Sequence, residues 1–277
     1  MMQFTVFGNP IEHSLSPRIH QLFAEQCGKQ LDYSRSLTSK QRFAGAVASF
    51  FRAGGQGANV TVPFKEQAAE LVTHLTPRAA RAASVNTLIP LGQGQLAGDT
   101  TDGMGLLRDV ERLVGAQGLP QRVVIIGAGG AARSVIEPFQ EAGCEVYLSN
   151  RSAAKVTPLV QRFSALKVLP FEALGHSPSE EFNANFCLIN ATSASLAGHA
   201  LPIDDGWFSA GVLTYDMMYG AQLTAFLQQA KRAGAGELAD GLGMLVEQAA
   251  LAFSLWHNGH VPETLPVLHQ LRAELSG

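Results

Sequence analysis

The sequence predicts an α/β protein of two domains, and three observations carry that prediction. Strand-like and helix-like patterns alternate along most of the 277 residues, as expected where helices cover mainly parallel sheets. The β-branched run Val123-Val-Ile-Ile feeds directly into Gly127-Ala-Gly129-Gly130-Ala-Ala132 and then into a helical pattern. This strand–turn–helix opens a Rossmann-type doubly wound sheet. That strand starts only near Arg122, and the residues before it read as a separate α/β unit with a mostly parallel sheet. The length suits two ordinary domains, and 46% apolar content supplies their cores.

The elements follow in order. Residues 4–7 read as a strand. Residues 17–27 read as a helix with Ile19, Leu22 and Phe23 on one face, Ser16 as N-cap and Pro17 as first helical residue. Residues 57–62 alternate, with Val60 and Val62 on one face and Asn59 and Thr61 on the other. Pro63 stops that strand and begins a helix over 64–75. Residues 85–90 and 95–97 pair as a hairpin around Leu91-Gly92-Gln93-Gly94, and Gly98-Asp99-Thr100-Thr101-Asp102-Gly103 reads as a hinge. Beyond the glycine turn, Cys144-Glu-Val-Tyr-Leu-Ser and residues 186–190 and 212–216 read as further strands of the second sheet. From Gly241 the chain is helical and is expected to pack back on the first domain. The domain boundaries expected are 1–101 with 241–277, and 102–240.

Composition narrows the function. A net charge of −3 offers no basic face for nucleic acid or an anionic membrane, and no apolar run is long enough to span a bilayer. A strand pattern from Gln3 leads us to expect no signal peptide. Cys27, Cys144 and Cys187 are isolated and odd in number, as for buried thiols in a reducing cytoplasm. The eight histidines form no ligand-spaced cluster, so no metal is expected.

The glycine turn carries the clearest chemistry. Gly127 permits the tight turn, Gly129 admits a pyrophosphate against the backbone, and Ala132 lets helix and strand pack closely. No carboxylate ends the second strand. Asn150, Arg151, Ser152 and Lys155 stand there instead, a set that suits the 2′-phosphate of NADP(H), or else a solvated strand end with Ser152 as N-cap.

In the first domain, Ser14 and Ser16 place two hydroxyls beside exposed helix N–H groups, a neutral site for a small carboxylate, unless Ser16 only caps. Lys65 falls in a first helical turn, where the macrodipole disfavours a cation. It also follows the C-terminal end of a strand, where α/β proteins place function. It is either a proton-transfer group or a solvated lysine. Asp102 is placed to hold Lys65, or simply forms an Asp-Gly turn. Asn86 ends a strand-like stretch. Gln248 interrupts the apolar row Met244, Ala252 and Leu255. A buried amide there needs partners, which a polyhydroxylated ligand supplies; a partly exposed one does not.

Taken in order, these segments resemble the shikimate dehydrogenase family. The match runs from Gly8-Asn-Pro-Ile-Glu-His13-Ser14-Leu-Ser16-Pro17 through Asn59-Val-Thr61-Val-Pro-Phe-Lys65, Val85-Asn86-Thr87, residues 98–103 and the glycine turn. It continues to Asn190-Ala191-Thr192-Ser193, Tyr215-Asp216-Met217-Met218-Tyr219 and Asp240-Gly241-Leu-Gly243-Met244-Leu-Val-Glu-Gln248. The resemblance implies an NADP-dependent oxidoreductase that reduces 3-dehydroshikimate to shikimate, a step of aromatic amino-acid biosynthesis. It implies that the first domain binds substrate and the second NADP(H), in a cytoplasmic monomer or homodimer.

Residue by residue, Ser14 and Ser16 with nearby Tyr219 would hold the substrate carboxylate. Thr61, Asn86, Asp102 and Gln248 would hold ring hydroxyls, with Lys65 and Asp102 as the catalytic pair. Gly127, Gly129, Gly130, Ala131 and Ala132 would form the pyrophosphate loop, and Asn150, Arg151, Ser152 and Lys155 the 2′-phosphate site. Thr192, Ser193, Met217 and Gly241 would line the nicotinamide side. One departure is visible. Members often carry glycine after Asn-Ala-Thr-Ser-x, and this chain has Ser195. Whether quinate is also accepted stays open.

Overall fold

The computed structural model describes residues 1–182 and 185–276. The chain divides into two compact units, Met1–Gly105 with Val246–Gln270, and Leu106–Leu245 with the segment from Leu271.

The first unit contains β1 (Met2–Gly8), α1 (Ser16–Gln26), β2 (Leu31–Leu37), α2 (Phe43–Arg52), β3 (Gly57–Val60), α3 (Lys65–Leu71), β4 (His74–Leu75), α4 (Pro77–Ala82), β5 (Thr87–Gly92) and β6 (Gln95–Asp99), and α5 (Asp102–Val114) begins in it. Its sheet has the order β2-β1-β3-β5-β6-β4. β1 pairs in parallel with β2 and β3, and β4 with β6, while β5 runs antiparallel to β3 and β6. The left-handed backbone at Gly92, Gln93 and Gly94 reverses the chain tightly, so β5 and β6 enter the sheet as a hairpin and make it mixed. The two-residue alternation of β1 serves both faces: Phe7 packs with Phe43, Val60, Phe64 and Leu88, and Phe4 and Val6 with Ile11 and Tyr33.

The second unit takes up α5 and adds β7 (Arg122–Ile126), α6 (Gly130–Glu141), β8 (Glu145–Ser149), α7 (Ala153–Arg162), β9 (Lys167–Val168), β10 (Phe186–Asn190), α8 (Asp205–Ala210), β11 (Leu213–Asp216), α9 (Ala225–Arg232) and β12 (Glu237–Asp240). The order β12-β11-β10-β7-β8-β9 is parallel throughout. It is doubly wound, and its winding reverses between β7 and β10, where such sheets bind ligands at their carboxyl ends. Residues 123–126 and 187–189 are fully buried, which is why they read as unbroken apolar runs. α10 (Leu242–Trp256) and α11 (Thr264–Ser276) follow. In the first unit, Trp256 Nε1 donates to the Leu88 carbonyl at 3.1 Å, and its ring centre lies 4.9 Å from that of Phe4.

Several expectations need correction. The strand expected over 57–62 ends at Val60, and the helix expected over 64–75 stops at Leu71, after which His74–Leu75 joins the sheet as β4. Ser16 is the first residue of α1, and its predecessor Leu15 is the cap, without a side-chain bond. Ser14 Oγ instead accepts the Ser16 N–H at 3.3 Å. In the segment 98–103, expected to be turn-rich, β6 ends and α5 begins. Asp99 receives two bonds from Arg78 at 2.7 and 2.6 Å and one from Thr76 at 2.6 Å, and Asp102 starts α5 within the first unit. An acidic residue suits that first turn. Cys27 is only partly buried, whereas Cys144 and Cys187 are buried, and all three are free. Burial pushes the Cys187 thiol far up.

Candidate active site and cofactor loop

In the first unit, β3 and α3 bring Asn59, Thr61 and Lys65 to one end of the sheet, and β5, α5 and α10 bring Asn86, Asp102 and Gln248. Lys65 Nζ lies 2.6 Å from Asp102 Oδ2. The carboxylate offsets the awkward placement of a cation in the first turn of α3. Asn86 ties the cluster together. Its Nδ2 donates to Asp102 Oδ1 at 2.9 Å, Thr101 Oγ1 at 2.9 Å and Gln248 Oε1 at 3.1 Å, and its Oδ1 accepts from Thr101 N at 2.9 Å and Thr87 Oγ1 at 2.8 Å. Asn86, Asp102 and Gln248 are all buried. The close approach of α5 to α10 depends on Gly105, where a Cβ would stand 2.7 Å from the Gln248 backbone nitrogen.

Beneath this layer, Tyr33 OH donates to Asn59 Oδ1 at 2.7 Å, and Asn59 Nδ2 donates to the Asn86 carbonyl at 3.1 Å. Neither Asn59, Tyr33 nor Thr101 stood among the expected site residues. The alternation that puts Asn59 on the face of Thr61 was the available signal for the first. The contacts of Tyr33 join segments distant in sequence and had none. Ser14 and Ser16 stand together, their hydroxyls 3.2 Å apart, and Arg35 donates twice to the Ser14 carbonyl, at 2.9 and 2.7 Å. The Thr61 hydroxyl has no bonding partner among the described residues. Tyr219 lies half-buried in the second unit, beyond β11.

In the second unit the glycine turn leaves β7 at Gly127, whose φ of +119° is a backbone state that L side chains rarely adopt. Gly129 caps α6, Gly130 and Ala131 form its first turn, and buried Ala132 faces the sheet. A Cβ at Gly129 would meet nothing within 4 Å, so open space faces the helix start. At the end of β8, Asn150 Nδ2 donates to the Ser152 carbonyl at 2.9 Å, and Ser152 caps α7 without using its hydroxyl. Arg151 and Lys155 are exposed and have no ion-pair partner among the described residues.

Beyond β10 and β11 the remaining expected residues cluster. Asn190 Oδ1 accepts from Thr192 N at 3.0 Å and Thr192 Oγ1 at 2.7 Å. Ser193 is exposed just beyond. A Cβ on Gly241 would stand 2.1 Å from the Met217 carbonyl oxygen, so only glycine permits that approach. Buried Asp216 receives bonds from Ser195 Oγ and Thr224 Oγ1, both at 2.6 Å, Met218 N at 3.0 Å and Asn190 Nδ2 at 3.1 Å. Burial raises its carboxyl above the usual range, and those four bonds pull it back.

Among the described residues no group of three or more His, Cys, Asp or Glu is arranged to hold a metal, and no helix is long and apolar enough to cross a membrane.

Comparison with known proteins gives the same outline. Residues 6–88 match the shikimate dehydrogenase substrate binding domain, residues 112–197 the shikimate / quinate 5-dehydrogenase family, and residues 241–272 the shikimate 5'-dehydrogenase C-terminal domain. The chain is 48% identical to shikimate dehydrogenase (NADP(+)) of Dechloromonas aromatica, over 98% of both chains. It is 46% identical to the protein of that name from Cellvibrio japonicus, over 98% of this chain and 97% of that one. Among solved structures, an Ael1 enzyme from Pseudomonas putida superposes with a TM-score of 0.87 at 39% identity, covering 98% of each chain. Shikimate 5-dehydrogenase of Thermus thermophilus, solved in complex with NADP(H) and shikimate, gives 0.83 at 32% identity, covering 99% of this chain and 100% of that one. With the three family segments in chain order and relatives matched end to end, this chain belongs to the shikimate dehydrogenase family.

Proposed function

We propose that this chain interconverts 3-dehydroshikimate and shikimate with NADP(H), and that Lys65 and Asp102 are its catalytic pair. The 2.6 Å contact between them, inside a buried amide and hydroxyl cluster, is the observation that carries the reading. On this reading the first unit holds the substrate and the second the cofactor.

In the reductive direction the Lys65 ammonium faces the ketone oxygen, stabilises the negative charge that builds there and gives up its proton to it. Asp102 orients the ammonium throughout. Ser14 and Ser16 hold the substrate carboxylate. Thr61, Asn86 and Gln248 hold the ring hydroxyls.

The second unit fits a dinucleotide. The open space over Gly129 admits a pyrophosphate against the first-turn N–H groups of α6, at Gly130, Ala131 and Ala132. Gly127 supplies the turn that aims them. Arg151 and Lys155, with Asn150 and Ser152, present charge and hydroxyls for a 2′-phosphate. Thr192, Ser193, Met217 and Gly241 flank the nicotinamide. When bound, NADPH supplies the hydride.

The same reading makes the chain a cytoplasmic monomer or homodimer, with small-molecule ligands only and no nucleic-acid partner. Its three free cysteines support the cytoplasmic reading, and its net charge of −3 supports the reading without a nucleic-acid partner. A steady-state assay of shikimate and quinate, each against NADP⁺ and NAD⁺, tests the function. We expect turnover of shikimate with NADP⁺. A folded sample that binds NADPH yet does not oxidise shikimate refutes it.

A further inference from the structure

Ser195 stands where members of the family often have glycine. In this structure its hydroxyl donates to Asp216 Oδ2 at 2.6 Å and accepts from Asn190 Nδ2 at 3.3 Å. Asp216 is fully buried. Its carboxylate holds three segments at once: the turn after β10 through Ser195, the segment after β11 through Met218 N, and the start of α9 through Thr224. Asn190 reinforces the first two. It bonds Thr192 through its side chain, and its carbonyl accepts from Met217 N at 2.9 Å. A glycine at 195 would leave the turn without its side-chain tie to the carboxylate.

We propose that Ser195 and Asp216 are positioning residues for the nicotinamide half of the cofactor, the Ser195 hydroxyl locking the turn that carries Thr192 and Ser193 to the segment that carries Met217. The inference rests on the reading that those three residues face the nicotinamide. No hydrogen bond joins Ser195 or Asp216 to the glycine turn or to the end of β8 among the described residues, so the groups that hold the adenosine half stand outside the lock. Loosening it lowers the fraction of molecules with the two segments in register, and apparent affinity falls by that fraction.

The test is equilibrium binding, with no turnover needed. NADPH fluorescence and calorimetry with 2′,5′-ADP are compared for the parent, Ser195→Ala and Ser195→Thr. We expect Ser195→Ala to weaken NADPH by about threefold to tenfold, leave 2′,5′-ADP unchanged, and lower kcat with little change in the KM for shikimate. Ser195→Thr keeps the hydroxyl and restores NADPH binding toward the parent. Unchanged NADPH binding in Ser195→Ala overturns the inference, as does an equal loss for both ligands, which would mark a structural role. A parent that binds neither ligand overturns the cofactor reading itself, and this inference with it.

Discussion

In the first unit the polar groups around Asp102 are bonded to one another in the protein alone: Lys65 to Asp102, Asp102 to Asn86, Asn86 to Gln248 and Thr101. At the ends of β7 and β8 in the second unit the opposite holds. Gly129 faces open space, and Arg151 and Lys155 stand exposed, with no ion-pair partner among the described residues. The contrast follows from what each region must do. Proton transfer and charge stabilisation need donors aimed before the reaction starts, so those groups are fixed and desolvated in advance. Phosphate recognition gains from cations that stay solvated until an anion arrives, because exposed charges held together by protein partners would contribute little.

The sharpest way to break this contrast is Lys65→Ala. We expect kcat to fall roughly 10²–10⁴-fold, with a much smaller change in the KM for shikimate, since the hydroxyls of Ser14 and Ser16 remain. Asp102 would keep Asn86 but lose its cation while buried, so the melting temperature should also fall. Lys65→Gln should recover part of that temperature and none of the rate. A large rise in KM with kcat intact would show a binding group only.

The closed character of the first unit also predicts its behaviour in acid. His20 is fully buried and stacked on Tyr33 at 4.5 Å. Desolvation drives its pKa from 6.5 down to about 3. The ring is neutral in the fold and protonated in the unfolded chain below pH 6.5. Its share of stability is therefore complete above pH 6.5 and is lost as the pH falls toward 3, about 2 kcal/mol by pH 5. Burial lowers the pKa of neighbouring His257 as well, which adds in the same direction. Urea unfolding across pH 5–7 should show this slope, and His20→Phe should flatten it. An unchanged slope would place the titration elsewhere.

For the second unit, Arg151→Ala should weaken NADPH by about ten- to a hundredfold and NADH hardly at all. Equal losses would mean that Arg151 supports structure. The smallest change is expected in the stability of Gly129→Ala. Nothing lies within 4 Å of the new methyl, so unfolding free energy should move by only about 0.5 kcal/mol. NADPH binding should nevertheless weaken, because the methyl would occupy the space meant for the pyrophosphate. A large loss of stability would show that Gly129 serves the fold.

Much of this was legible from local pattern. Residues 123–126 and 186–189 are β-branched or apolar runs, and they form the buried cores of the parallel strands Arg122–Ile126 and Phe186–Asn190. The hairpin after Asn86 follows from Leu91-Gly92-Gln93-Gly94. β2 was hard to read, since Arg35 interrupts the face that Leu31, Tyr33 and Leu37 share and only Tyr33 on it is buried. It forms because β1 offers a free edge along seven registered residues. The two-residue strands β4 and β9 are too short to leave a period.

By itself, then, the sequence determined the α/β class, the Rossmann turn, the residue types at the strand ends and the family they resemble, because each depends on spacing within a few residues. Only the tertiary structure decided that Asp102 opens a helix, that Asn86 and Gln248, 162 residues apart, share a hydrogen bond, and that Ser195 reaches Asp216. Those outcomes depend on which buried polar groups must find partners once helices and strands pack, and no local window of residues records that requirement.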